Sequence, residues 1–188
     1  MQEKLGSRSL VTSRITPSRL LKSLAWGTIG GTAGTLAMDL TLMAVLAAFG
    51  LPPLSCFSIV GDTMAHFFSV HNLGMSAVIL LGLATHYTVG PLIGALFGLL
   101  VTQVKAVRVH TRKKSLLLGI LYVEMLSQPL LATTPILLKM TVVETLQWYG
   151  GSFIMHLIAG AVLGAVVGRG LRLAGAGRVA TRNPAAGS

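Results

Sequence analysis

Four ionisable side chains stand in sequence too apolar to hold them cheaply: Asp39, His86, Glu124 and His156. Carboxylates and imidazoles can share a proton, fix one another by a hydrogen bond, or ligate a metal. Their settings repeat. "HYTVGPLIGALFG", His86–Gly98, and "HLIAGAVLGAVVG", His156–Gly168, both read H-x3-G-x3-G-x3-G, while "GTLAMD" and "GILYVE" both read G-x4-acid and end at Asp39 and Glu124. At this point each histidine is expected to pair with the carboxylate of its own half, Asp39 with His86 and Glu124 with His156.

Three chemistries suit such a set. The four groups could be polar clips that fix how helices sit on one another. The two histidines could be axial ligands of a b-type haem, with the carboxylates orienting their rings. All four could line a proton or ion path. No C-x-x-C-H attachment motif accompanies the haem reading.

The elements that position these groups are membrane helices. Of the 188 residues, 53% are hydrophobic and 11% charged. A spanning helix needs roughly 20 mostly apolar residues. Leu24–Phe49, Ala77–Val104, Leu116–Ala132 and Phe153–Leu173 meet or approach that length, and the third should end in a kink or broken turn near Pro129. Counting from the nearest basic residues at about 1.5 Å per residue, all four ionisable groups fall between the bilayer centre and its outer third. A charge at that depth costs at least ~2.5–3.5 kcal/mol on insertion scales, so a partner or a function is expected.

The net charge of +10 follows from topology. All basic residues but Lys139 fall in three clusters: Lys4 to Lys22, Lys105 to Lys114, and Arg169 to Arg182. Short cytoplasmic loops collect Lys and Arg. Both termini and the central loop are therefore expected inside, with anionic lipid headgroups as their partners and no nucleic acid. The first apolar run exceeds the ~7–15 residues of a signal-peptide core, so it reads as a retained helix.

The matched frames imply two parallel repeats, residues 24–104 and 115–173, joined by a basic loop at 105–114. A basic segment, 1–23, precedes them and a flexible cytoplasmic tail, 174–188, follows. Each repeat is expected to run helix, interfacial segment, helix. The segments carry apolar residues at helical spacing, Val60, Met64, Phe67 and Phe68 in one and Ile136, Met140 and Val143 in the other, and should lie along the outer surface. The second should end at the interfacial pair Trp148–Tyr149. Gly90, Gly94 and Gly98, and Gly160, Gly164 and Gly168, smooth one side of each second helix. Close backbone packing is the plain use of such a side; a wall for a flat porphyrin is the sharper one. Pro91 should kink the first of these helices.

A second, weaker metal candidate lies in the first outer segment, where Cys56, His66 and His71 stand among Met64 and Met75; thiolate, thioether and imidazole suit copper or zinc. The metalloprotease, nucleophile-elbow and phosphate-loop motifs are absent, so no catalytic residue is assigned.

"THY" at Thr85–Tyr87, "RKKSLLLGIL" at Arg112–Leu121, "QPLLATTP" at Gln128–Pro135 and "WYGGSFIMHLIAGAVLG" at Trp148–Gly164 resemble the YagU-like group of small bacterial and archaeal inner-membrane proteins. The resemblance covers under half the chain. It implies a small multi-span protein of a prokaryotic cytoplasmic membrane with a histidine opening its last helix, and it transfers no chemistry. The sequence thus favours an all-α, four-span, non-catalytic protein, an accessory or assembly subunit that packs on other membrane subunits or on its own copies. A b-type haem or metal electron carrier using His86 and His156, and a proton-coupled or ion-conducting oligomer using Asp39 and Glu124, are the alternatives.

Overall fold

The computed structural model describes residues 17–104 and 111–182, with side chains to 173. Within them the chain folds as α1 (Pro17–Ala48), α2 (Ser55–Phe67), α3 (Met75–Gln103), α4 (Arg112–Leu131), α5 (Thr133–Leu137) and α6 (Val142–Arg182). Four stretches are long and apolar enough to cross a membrane: Pro17–Ala48, Met75–Gln103, Arg112–Leu137 and Val142–Leu173.

Local chemistry sets the helix ends. α1 is described from Pro17 on. Gly50, at φ 71°, closes the same helix: the Leu51 amide donates to the Leu46 carbonyl and the Gly50 amide to Ala47, a Schellman turn that glycine adopts without strain. Thr111 caps α4 by accepting from the Lys114 amide at 3.2 Å. Thr141 and Glu144 begin α6 as a capping box: the Thr141 amide donates to the Glu144 carboxylate at 2.7 Å, and the Glu144 amide donates back to the Thr141 hydroxyl at 3.3 Å.

Glycine governs the packing. α1 lies between two antiparallel neighbours. On one edge Ser23, Gly27 and Gly31 meet Gly98, Gly94 and Gly90 of α3; on another Gly30 and Gly34 meet Leu163, Val167 and Ala159 of α6. α4 packs on α6 in the same manner, Gly119 against Gly160 and Gly164, and Ser115 against Gly164 and Gly168. A Cβ at Gly94 would stand 2.6 Å from the Gly31 Cα, and one at Gly34 would stand 2.7 Å from the Ala159 carbonyl oxygen. Real Cβ atoms do not approach so closely, so only glycine lets these backbones touch. In lipid, where apolar surface gains little by leaving its solvent, such contact is the main source of helix association. Met38, Phe97, Val101, Val123, Ala159, Leu163 and Val167 form the core among these helices. α3 and α4 meet mainly at Tyr122, whose ring lies 5.0 Å from Phe97 and whose hydroxyl donates to the Ile93 carbonyl at 3.0 Å.

Several expectations are corrected. α2 does not lie apart along the surface; it runs antiparallel down the first half of α3, with Phe57 against Gly82 and Gly61 against Val78. The second outer segment is not one interfacial helix. α5 stops at Leu137, Lys139 turns with φ 51°, and the capping box starts α6 at Val142, so Val143, Trp148 and Tyr149 belong to the long helix. His156 therefore lies well inside α6 rather than at its opening. The same helix continues to Arg182, past the expected start of the tail. As expected, α4 ends just past Pro129, at Leu131; α3 contains Pro91 within a continuous helix. Of the expected segments, residues 1–16, 105–110 and 183–188 lie outside the described residues.

Candidate functional site

The register of the glycines decides which polar groups meet. With Gly31 against Gly90, the next turns of α1 bring Asp39 level with His86. The His86 Nδ1–H donates to Asp39 Oδ1 at 3.0 Å. Asp39 is 2% exposed and His86 20%. The second carboxylate oxygen, Oδ2, is buried without a hydrogen bond, and the phenol of Tyr87 lies beside the same carboxylate. Phe57 of α2 packs edge-on against the imidazole, with centroids 5.6 Å apart.

The second expected pair does not form. The His156 Nδ1–H donates to the Ser152 carbonyl of its own helix at 2.7 Å. Glu124 accepts from the Gln128 side-chain amide at 2.7 Å, and its other oxygen is buried without a partner. Packing register explains the difference. Gly31 meets the Gly90 carbonyl and Gly94 Cα, and Gly119 meets the Gly160 carbonyl and Gly164 Cα. These two glycines are therefore the matching places. The residue that follows Gly119 as Asp39 follows Gly31 is Ser127, not Glu124. Glu124 instead falls where α1 has the exposed Leu36.

Both histidines line one cavity of about 550 Å³. Met38, Val123, Ala159 and Leu163 floor it, and Leu42 of α1, Ile59 of α2, Ile93 of α3 and Met155 of α6 belong to its walls. Exposed lining residues, Phe67 and Phe68 beside the α2–α3 connection and Gln147 and Gly151 in the first turns of α6, mark a mouth. Trp148 lines it too, its indole N–H donating to the Leu131 carbonyl at 3.2 Å. A roof joins α2 to α5: the Thr63 hydroxyl donates to the Ile59 carbonyl at 2.8 Å and meets the Thr134 hydroxyl at 3.2 Å. Asp39 stands behind His86, outside the lining, and Glu124 is also outside it.

This geometry fixes the tautomers. A carbonyl and a carboxylate both accept, so each Nδ1 carries its hydrogen, and in the neutral ring each Nε2 keeps its lone pair. Such a ring can accept a hydrogen bond or ligate a metal. The ladder glycines Gly94, Gly98, Gly160, Gly164 and Gly168 are occupied in helix packing, and of the ladder only Gly90 reaches the cavity lining. They form no porphyrin wall.

The outer-segment candidates are not brought together. His66 and His71 are exposed, and His66 Nδ1 donates to the Asp62 carbonyl at 2.9 Å. Cys56 is buried on the cavity lining. Burial, and then the negative charge of Asp39, pushes its thiol up from the ordinary value, against the thiolate a metal needs. Among the described residues no three His, Cys, Asp or Glu side chains gather at metal distance.

Sequence reading did not find the cavity, the Thr63–Thr134 roof or Ser127. The Thr141-x-x-Glu144 pattern that starts α6 was legible by its spacing. Comparison with protein-family models, with characterised proteins and with solved structures finds no match to this chain. Fold and site together define an all-helical protein with four helices fit to cross a membrane and an apolar cavity holding two histidines.

Proposed function

We propose that this chain is a non-catalytic accessory protein of the membrane that holds a small molecule with an apolar body in the cavity between its four spans. The observation that carries this reading is the cavity itself. Its volume of about 550 Å³ falls in the range of small-molecule sites, which are largely apolar with a few placed polar groups. His86 and His156 are those groups, and Asp39 orients His86.

The basic clusters support both termini on the cytoplasmic side of a prokaryotic cytoplasmic membrane, with the mouth on the outer side and anionic headgroups against the clusters. The common register of the α1–α3 and α4–α6 pairs supports an origin by duplication, with Gly31 and Gly119 as matching positions. The likeness to the YagU-like group agrees with this reading and adds no ligand.

Trp148 lines the cavity, so it can report occupancy once the other tryptophan, Trp26, is replaced. In Trp26→Phe protein, a bromoalkanol is expected to quench Trp148 saturably. The saturable part should vanish in Gly151→Phe, which fills the mouth: nothing lies within 4 Å of a Cβ placed there. Quenching that rises without saturation in both proteins would contradict the reading.

One observation favours a second reading, a b-type haem held by both histidines: each Nδ1 is fixed by an acceptor and each Nε2 is left for a ligand, the arrangement of ligating imidazoles. An oxidised-minus-reduced visible spectrum lost in His86→Ala and in His156→Ala would establish it. A colourless purified protein would remove it.

A further inference from the structure

The polar atoms of the cavity differ in what they can still offer, and this selects the occupant. The two histidines turn their N–H groups away, His86 to Asp39 and His156 to the Ser152 carbonyl. Three lining hydroxyls are committed to the backbone. Those of Ser55, Thr63 and Thr85 donate to the carbonyls of Pro52, Ile59 and Leu81 at 2.8 Å each; Ser55 and Thr85 leave the cavity their lone pairs, while the Thr63 oxygen also meets the Thr134 hydroxyl. The Trp148 N–H is spent on the Leu131 carbonyl. Among the described residues no lysine or arginine lines the space. Just behind it stands Asp39, 2% exposed, with Oδ2 making no hydrogen bond.

Resting on the ligand-binding reading above, we infer that the cavity selects a neutral amphiphile whose polar end donates a hydrogen bond, an alcohol or phenol on an apolar body, and rejects anionic amphiphiles. An O–H placed between the imidazoles finds the Nε2 acceptors it needs. An ether or ester oxygen has no hydrogen to give the imidazoles and leaves their lone pairs buried without a partner, whatever the Gln147 amide at the mouth donates to it. A sulfate or carboxylate adds a charge that no cation neutralises, beside a carboxylate already buried. An imidazole acceptor of this kind discriminates through the group left unpaired, which is the costly side of a hydrogen bond.

The test uses three probes of one chain length at pH 8: a bromoalkanol, its methyl ether and its sulfate ester. Each is titrated into Trp26→Phe protein in lipid nanodiscs while Trp148 fluorescence is followed. The alcohol is expected to bind about tenfold more tightly than the ether, and the sulfate to give no saturable quenching. In His156→Leu, which removes one acceptor and leaves the Asp39–His86 pair intact, the alcohol should lose most of its advantage over the ether. An ether or sulfate that binds as tightly as the alcohol would overturn this inference and leave the cavity reading standing. No saturable quenching by any of the three would overturn the cavity reading itself.

Discussion

The His86 imidazole and the Asp39 carboxylate are bound to one another at 3.0 Å across the α1–α3 contact, with the carboxylate 2% exposed. His156 has no such partner and turns to the Ser152 carbonyl. The two halves therefore present similar rings to one cavity by different means. One ring is fixed by a neighbouring helix and one by its own, so the consequences of losing each differ.

Replacing His86 alone strands a buried charge. His86→Leu is expected to cost about 3–5 kcal/mol, the range for breaking a buried pair from one side. Asp39→Leu/His86→Leu together should recover most of that loss. Unfolding of the single and double variants in one detergent gives the cycle. Additive losses would show that the pair is not coupled.

Glycine positions that look alike in sequence should behave differently. Gly94→Ala and Gly119→Ala put a methyl group against opposing backbone and are expected to lose about 1–3 kcal/mol or more, the cost of overpacking. Gly150→Ala meets nothing within 4 Å and should be neutral or gain up to about 1 kcal/mol from helix propensity. Thermal unfolding in mild detergent separates the two groups.

The order of the helices and their four-residue glycine spacing could be read from the sequence because both follow from the demands of a lipid solvent. Asp39–His86 was legible for the same reason, since two such groups at one depth must find partners. Glu124–His156 was not. The G-x4-acid frames align Gly119 with Gly34, whereas packing aligns it with Gly31, and that shift of three turns Glu124 to another face. Trp148 reads as an interfacial anchor by its type, but the Thr141–Glu144 box starts α6 early and makes it cavity wall. The cavity itself depends on how six helices splay, which no single stretch of sequence encodes.

The shifted register makes a sharp prediction for α4. Glu124→Gln should leave bromoalkanol binding unchanged within about twofold, because Glu124 lies outside the lining. Ser127→Phe, which projects bulk into the space from a buried position, should weaken it by about tenfold or more, the equivalent of ~1.4 kcal/mol. The reverse order in a quenching titration would restore Glu124 as the functional partner of His156.

Cys56 offers a chemical readout of the same space. Burial and the Asp39 charge push its thiol up, so less of it is thiolate at pH 7 than for a free cysteine, and thiolate is the reactive form. Alkylation at pH 7 is expected to be at least tenfold slower than for a cysteine placed at the exposed His71 position in a Cys56→Ala background. It should accelerate as the pH is raised past the ordinary thiol range and slow again on addition of bromoalkanol. Equal rates at pH 7 would contradict the buried placement.

Whether the cavity is a binding site is decided by native mass spectrometry of the full chain released from mild detergent, wild type beside Gly151→Phe. A one-to-one small-molecule adduct is expected on the wild type and none on Gly151→Phe, with both proteins equally folded. Equal adducts on both proteins, or a bare chain in both after addition of saturating bromoalkanol, would contradict a binding site there.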